Sequence, residues 1–125
     1  MNVKKVITQL AEKFPDRTIL KNQEERPTEI ICETEPTRDH SDFSVAIAII
    51  DQSIAHVHKK STEEYEVLKG ELTLTINGIR HALTEGMSYT IHPGEIHSAS
   101  GRETWVKTTS TPGWTPQDHI LIPKE

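Results

Sequence analysis

Hydrophobic and polar residues alternate along several stretches of the chain, and this alternation is the main structural signal in the sequence. From Phe43 to Ile49, bulky apolar residues alternate with serine and alanine, which predicts a buried strand with one bulky and one small face. After residue 62, alternation places Glu63, Tyr65 and Val67 on one side of the chain. Because successive side chains of a strand point to opposite faces, we expect these three to point inward together.

Helical spacing and turn residues predict further elements. Apolar residues from Val3 to Phe14 recur at helical spacing before Pro15, which predicts one N-terminal helix of three turns within residues 1–15. Asn77-Gly78 separates two alternating runs and predicts a hairpin with a two-residue turn. The remaining expectations are strands from Glu29 to Glu35, Met87 to Ile91 and Thr104 to Ser110, and a long connection from Asp16 to Thr28.

These elements predict a single domain that spans residues 1–125, with a β-barrel over about residues 29–110. A chain of 125 residues has room for one hydrophobic core. The last segment, residues 111–125, contains Trp114 and three consecutive aliphatic residues, 120–122. A disordered tail rarely carries such residues. We therefore expect this C-terminal extension to pack on the barrel or on a partner subunit.

The composition excludes several classes of protein. The formal net charge is −5 and no basic cluster exceeds Lys59-Lys60, which argues against a nucleic-acid surface. No apolar run approaches the roughly 18 residues of a membrane span, and the N-terminal residues do not resemble a signal peptide. Cys32 is the only cysteine, so we expect it to pack as a small buried hydrophobe. These features predict a cytoplasmic protein.

Two histidines separated by a single residue, His56 and His58, carry the strongest chemical signal. On an extended chain they point to the same side with Cα atoms roughly 7 Å apart, so both imidazoles can reach one ion at about 2.1 Å. Glu63 can return on the neighbouring strand and offer a carboxylate oxygen to the same point. A fourth candidate ligand, His97, follows the Pro-Gly turn that ends a later predicted strand.

The candidate ligands and three glycines resemble the two sequence motifs of the cupin superfamily. The first motif, HxHx4Ex6G, is matched by His56, His58, Glu63 and Gly70. The second motif, Gx5PxGx2H, is matched by Gly86, Gly94 and His97. The resemblance implies an all-β double-stranded β-helix, also called a jelly-roll barrel, with one short N-terminal helix. It also implies one divalent metal ion bound by His56, His58, Glu63 and His97.

Two positions depart from these motifs. His92 stands where the second motif has its proline, and it adds a histidine near the expected mouth of the barrel. Gly101 stands where that motif ends in asparagine, and we expect it to loosen a turn. Neither departure removes a ligand, so the expected fold and metal site are unchanged.

Tyr65 and His92 are the candidate catalytic residues. Tyr65 shares the face of Glu63 and can donate or accept a proton near the metal, or it can serve as a core aromatic residue. His92 is either an acid–base group at the barrel mouth or an exposed turn residue. Lys59-Lys60 can attract an anionic substrate or form a solvated loop tip. The other histidines match no motif and receive no role; they are His40, His81 and His119.

Three imidazoles and one carboxylate suit Fe(II), Mn(II), Ni(II), Co(II), Cu(II) or Zn(II). We therefore expect a metal-dependent enzyme acting on a small polar molecule inside the barrel, of dioxygenase, isomerase, lyase or decarboxylase type. The alternative is a non-catalytic protein that binds or senses a small ligand or the metal. The helix and the tail carry more apolar surface than a lone barrel covers, which predicts a homodimer.

Overall fold

The computed structural model describes residues 1–123, which form one helix and ten strands. The helix is α1 (Val3–Lys13), and a short 3-10 helix covers Pro116–Asp118. The strands are β1 (Thr18–Lys21), β2 (Glu29–Glu35), β3 (Ser44–Gln52), β4 (His56–Val57), β5 (Thr62–Lys69), β6 (Leu72–Ile76), β7 (Ile79–Leu83), β8 (Ser88–Ile91), β9 (His97–Thr111) and β10 (Ile120–Leu121).

Strand β9 organises the sheet, because its 15 residues pair with four other strands. Its C-terminal half lies between β3 and β5, and its N-terminal end lies between β6 and β4. These pairings are antiparallel, and they curl the sheet into a half-barrel. The predicted all-β jelly-roll fold with one N-terminal helix is therefore confirmed.

The two faces of β3 pack against different neighbours. Ile47 and Ile49 belong to the cluster beneath α1, where Val6 and Leu10 have no exposed surface. Full burial of such side chains contributes roughly 1.5–3 kcal/mol each, which attaches the helix to the outside of the sheet. Ala48, on the opposite face, belongs to the core inside the barrel. The small face predicted for this strand is thus the one that leaves space within the barrel.

Several predicted elements are present at the expected positions. β2 has the predicted bounds, and Cys32 on this strand is a fully buried free thiol. The hairpin of β6 and β7 is confirmed: Asn77 has φ 48° and Gly78 has φ 83°. Positive φ at both central residues is what a two-residue turn of this twist requires.

Three predicted details of the strands are wrong. The connection from Asp16 to Thr28 contains β1, an edge strand in which only Ile19 is even half-buried, so no alternation marked it. The last long strand begins at His97, not at Thr104, because a register shift interrupts its alternation. β5 pairs with β8 and β9, so the strand of Glu63 is not the direct neighbour of the histidine strand β4.

The expectation that Gly101 loosens a turn is also wrong, because the chain is tightly packed there. A Cβ on Gly101 would lie 2.9 Å from the carbonyl oxygen of Glu71 and would collide with Thr104 Oγ1. The Thr104 hydroxyl donates a hydrogen bond to that same carbonyl. Glycine is required where two backbones approach this closely.

The C-terminal segment returns to the histidine strand within the same chain. β10 pairs with β4, so that Ile120 lies opposite Val57 and Leu121 lies opposite His56. The short 3-10 helix just before it places Asp118 and His119 beside the barrel opening. Within residues 1–123, no helix combines the length and apolar character that a membrane span requires.

Candidate metal centre

Four buried side chains that the sequence marks as ligands lie together inside the barrel. One ligating atom from each lies within 4.8 Å of the others; the residues are His56, His58, Glu63 and His97. Strand pairing explains the convergence. β9 places His97 opposite His56 of β4, and further along it places Ser110 opposite Glu63 of β5. One long strand therefore brings both motifs to the same point.

Hydrogen bonds to the backbone orient the three imidazoles of this cluster. Each Nδ1 lies 2.8–3.0 Å from a carbonyl oxygen; the partners are Ile54 for His56, Asp118 for His58 and Glu95 for His97. A carbonyl oxygen can only accept, so each Nδ1 carries the proton and each Nε2 keeps a lone pair free. Imidazoles held in this tautomer are prepared to bind a metal through Nε2.

Glu63 is the carboxylate of the cluster, and its neighbours hold its charge. Its Oε1 lies 2.9 Å from His58 Nε2 and 3.2 Å from His97 Nε2, and Ser110 Oγ donates to Oε2 at 3.1 Å. Burial raises the pKa of Glu63, but the charged forms of His58 and His97, in which Nε2 also carries a proton and donates to the carboxylate, outweigh burial and hold this pKa well below its usual range. A metal ion bound at the three Nε2 atoms would take the place of these protons and stabilise the same anion. Glu63 is therefore an anion at neutral pH.

The electrostatics of the histidines fit a cation at the centre of the cluster. Burial, together with His97 and His119, lowers the pKa of His56 to about 3, so this imidazole is neutral. Burial also lowers the pKa of His58, but Glu63 outweighs this effect and raises it. Among the described residues His58 Nε2 has no partner with hydrogen-bond geometry, although it is buried. A positive ion between this nitrogen and the carboxylate would satisfy both.

Asp118 connects the C-terminal segment to the loop that carries His58. Its carboxylate accepts hydrogen bonds of 2.9–3.2 Å from the backbone N–H groups of Lys59, Lys60 and Ser61. Its own carbonyl oxygen accepts the proton of His58 Nδ1. Asp118 therefore positions a candidate metal ligand from 60 residues away, and no sequence motif marked it for this role.

His119, which the sequence analysis left without a role, also lies at the cluster. Its ring stacks on that of His56, with centroids 4.1 Å apart and planes 17° apart. Trp114 Nε1–H donates to His119 Nδ1 at 3.1 Å, which leaves Nε2 as the protonated nitrogen of the neutral ring. Burial and the nearby His58 lower the pKa of His119, which favours that neutral form. The apolar character of the tail was its only sequence signal.

Comparison with known proteins identifies the family. Residues 45–104 match the sequence model described as Cupin domain. Among solved structures, Pac13 from Streptomyces, described as a unique nucleoside dehydratase, matches with a TM-score of 0.75. The match covers 89% of this chain and 90% of Pac13, at 12% sequence identity. The chain belongs to the cupin superfamily. No curated protein matches its sequence significantly.

Two further cupin structures show how broadly the fold is shared. Ectoine synthase from P. lautus is 20% identical, with a TM-score of 0.64 over 91% of this chain and 89% of its own. A variant of oxalate decarboxylase from Bacillus subtilis is 15% identical, with a TM-score of 0.72 over 87% of this cupin and 31% of the decarboxylase. At these identities the likeness concerns the fold alone.

A cavity of about 80 Å³ opens beside the histidine–glutamate cluster of this cupin. Two of the candidate ligands, His56 and Glu63, line it together with Tyr65, and the tail contributes Trp114 and His119. One water molecule needs roughly 10–15 Å³ by this measure, so the cavity holds several waters or one small metabolite. The cluster therefore faces a space that a small molecule can enter.

The two candidate catalytic residues have different positions. Tyr65 lines the cavity and is buried; burial and the carboxyl groups of Glu63 and Glu29 raise the pKa of its hydroxyl well above the usual value. Tyr65 is therefore a hydrogen-bond donor at neutral pH and not a base. His92 is exposed in the turn after β8, and within residues 1–123 it is not among those that line the cavity.

Other residues named from the sequence lie outside this cavity. The side chains of Lys59 and Lys60 are exposed, so the structure gives them no contact with a ligand beside the cluster. His40 lies 3.5 Å from Glu35, and His81 lies beside Tyr89. Of the three unassigned histidines, only His119 approaches the histidine–glutamate cluster.

Proposed function

We propose that this cupin is a metal-dependent enzyme that acts on a small polar molecule bound in the cavity beside the cluster. The observation that carries the proposal is the arrangement of three Nε2 atoms and one ionised carboxylate around one point, within 4.8 Å of one another. Structural metal sites are closed by their protein ligands, whereas a catalytic site keeps a position open. The adjoining cavity supports the second kind of site.

One set of residues would bind the metal ion, and a second set would bind the substrate. A divalent ion of Fe, Mn, Ni, Co, Cu or Zn suits these donors and would polarise a substrate oxygen as a Lewis acid. The ligands would be His56, His58, Glu63 and His97. The small face of β3 leaves room for the substrate, and the buried Tyr65 hydroxyl can donate a hydrogen bond to it.

A reaction in which a proton moves is favoured over one that uses dioxygen. The cavity wall carries a protonated Tyr65 hydroxyl and a second carboxyl group, Glu29, and both can exchange hydrogen bonds or protons with a substrate. Dehydratases and decarboxylases are lyases, and two proteins of similar fold carry those names. We therefore favour a lyase, isomerase or decarboxylase over a dioxygenase.

The test begins with elemental analysis of protein purified without a histidine tag. Small polar metabolites are then screened by NMR against the protein loaded with the identified metal, while an electrode records oxygen. Conversion of a compound without oxygen uptake is the expected result. Oxygen uptake that matches conversion would instead indicate a dioxygenase. A compound that binds tightly and stays unchanged would favour the alternative function, binding or sensing.

A homodimer and a cytoplasmic location stay predictions for this protein. The apolar residues of the helix were one reason to expect a dimer, but Val6 and Leu10 are buried within the same chain. The packed helix therefore supports the dimer less than the sequence pattern did. Exposed apolar residues remain elsewhere; Ile79 is 64% exposed and Leu121 is 53% exposed. Sedimentation at micromolar concentration should give twice the chain mass of 14.1 kDa, and a value near that mass would contradict the dimer.

A further inference from the structure

The charged residues that line the cavity are all acidic. Besides Glu63, they are Glu29 and Glu33, both on β2. Alternation on β2 explains this placement, because Ile30 and Cys32 point to the helix side and the residues between them point inward. Within residues 1–123, neither a lysine nor an arginine lines the cavity. An anionic group would therefore meet repulsion everywhere except at the metal.

Glu29 differs from the other two carboxylates because its charge has no partner. Glu63 contacts the histidines of the cluster, and the Glu33 carboxylate lies 3.9 Å from Arg38. No ion pair or side-chain hydrogen bond of the Glu29 carboxyl group occurs among residues 1–123; only its backbone is held, by Asn22.

An unpaired carboxylate in this position destabilises the folded chain. Burial, with a further contribution from Glu63, raises the pKa of Glu29 to about 7. Glu29 is half-buried at the wall of a largely apolar cavity, and a charge that loses part of its hydration without gaining a partner opposes folding. Packing within the chain therefore does not explain a glutamate at this position, whereas a ligand with a positive group would explain it.

We propose that Glu29 binds a protonated amine of the ligand, and that the cavity selects small molecules carrying such a group. This inference rests on the proposed function, in which the opposite end of the ligand approaches the metal. An ammonium group would donate charge-assisted hydrogen bonds to the Glu29 carboxylate and neutralise it. The ligand class is thus a small zwitterion, with an oxygen-bearing group at the cluster and an amine at Glu29, and dicarboxylates are disfavoured.

Three probe molecules of equal length test this selectivity. 4-Aminobutyrate, pentanoate and glutarate share one carboxylate and a three-carbon spacer, and they differ only in the far group, which is ammonium, methyl or carboxylate. Calorimetry on the Co(II)-loaded protein gives each affinity, and the visible spectrum of Co(II) reports whether the shared carboxylate reaches the metal. We expect 4-aminobutyrate to bind at least about tenfold more tightly than pentanoate, with glutarate weakest.

Two variants assign the preference to one side chain. Glu29→Gln should bring the affinity for 4-aminobutyrate to within about threefold of that for pentanoate, at unchanged cobalt content. Glu64→Gln, on the exposed face of β5, removes one carboxylate outside the cavity and should keep the full preference.

The outcomes separate this inference from the function on which it rests. Equal binding of the three probes, tighter binding of glutarate, or a preference that survives in Glu29→Gln would overturn the role of Glu29 and leave the open metal site standing. If no probe binds and the Co(II) spectrum never changes, the open site itself is refuted, and the selectivity with it.

Discussion

Replacing Glu29 with glutamine should stabilise the folded protein at alkaline pH, because the substitution removes a charge that has no partner within residues 1–123. Glutamine keeps the size of the protonated carboxyl group and its ability to form hydrogen bonds. The pKa of Glu29 rises from an ordinary 4.5 to about 7 on folding. At about 1.4 kcal/mol for each tenfold change in acidity, the charged form opposes folding by about 3 kcal/mol.

The sign of the effect follows from proton binding. Between pH 4.5 and pH 7 the folded protein holds the proton of Glu29 and the unfolded chain does not, so the contribution of Glu29 to wild-type stability falls as the pH rises. Above pH 7 both states are ionised and the deficit is constant. The stability gained by Glu29→Gln should therefore be near zero at pH 4 and about 3 kcal/mol at pH 8.

Urea unfolding of the metal-free protein between pH 4 and pH 8, followed by circular dichroism, measures this difference. Every other ionisable group is present in both proteins, so the difference between the two curves reports Glu29 together with its interaction with Glu63. Glu64→Gln, an exposed substitution on β5, should shift stability by no more than about 0.5 kcal/mol at any pH. Parallel curves of stability against pH for wild type and Glu29→Gln would refute the account of Glu29 as a half-buried, unpaired carboxyl group.

Three further substitutions test two groups beside the cluster and the close packing of β9. Asp118→Ala releases three backbone N–H groups, and we expect zinc affinity to fall about 10- to 100-fold in a competition titration, while an unchanged affinity would exclude its positioning role. Gly101→Ala should lower the free energy of unfolding in urea by about 1–3 kcal/mol, because its Cβ would collide with the carbonyl oxygen of Glu71. An unchanged free energy of unfolding would mean that β9 shifts to accept the methyl group without cost. Tyr65→Phe should keep the metal; a fall in kcat of about a hundredfold would make its hydroxyl a proton-transfer group, and unchanged kcat would make it a core residue.

Local sequence patterns predicted the strands that have one face in the core and the other face in solvent. The alternation of Glu63, Tyr65 and Val67 with charged residues indicated the inward face of β5, and all three are buried. Asn77-Gly78 predicted the hairpin because only residues that tolerate positive φ suit its turn. Motif spacing predicted the four candidate ligands, and the structure brings their side chains together; that they bind a metal stays a prediction.

The parts that sequence reasoning missed depend on contacts between distant segments. Asp118 and His119 reach the cluster from the tail, and their spacing to His56 and His58 repeats in no local pattern. β1 has four mostly exposed residues and therefore no periodic signal. The sequence indicated Glu29 only as the first residue of a strand. A glutamate at a strand end is usually exposed to solvent, and its place in the cavity wall is evident only from the folded structure.

Metal content of four alanine variants tests most directly the claim that this cupin binds an ion through its two motifs. Elemental analysis of the tag-free proteins, with circular dichroism to confirm folding, should give near-stoichiometric metal in wild type and in His92→Ala. Occupancy should fall severely in the variants that each remove one ligand, which are His58→Ala, Glu63→Ala and His97→Ala. An empty site in His92→Ala together with a full site in His97→Ala would contradict the assignment of the ligands.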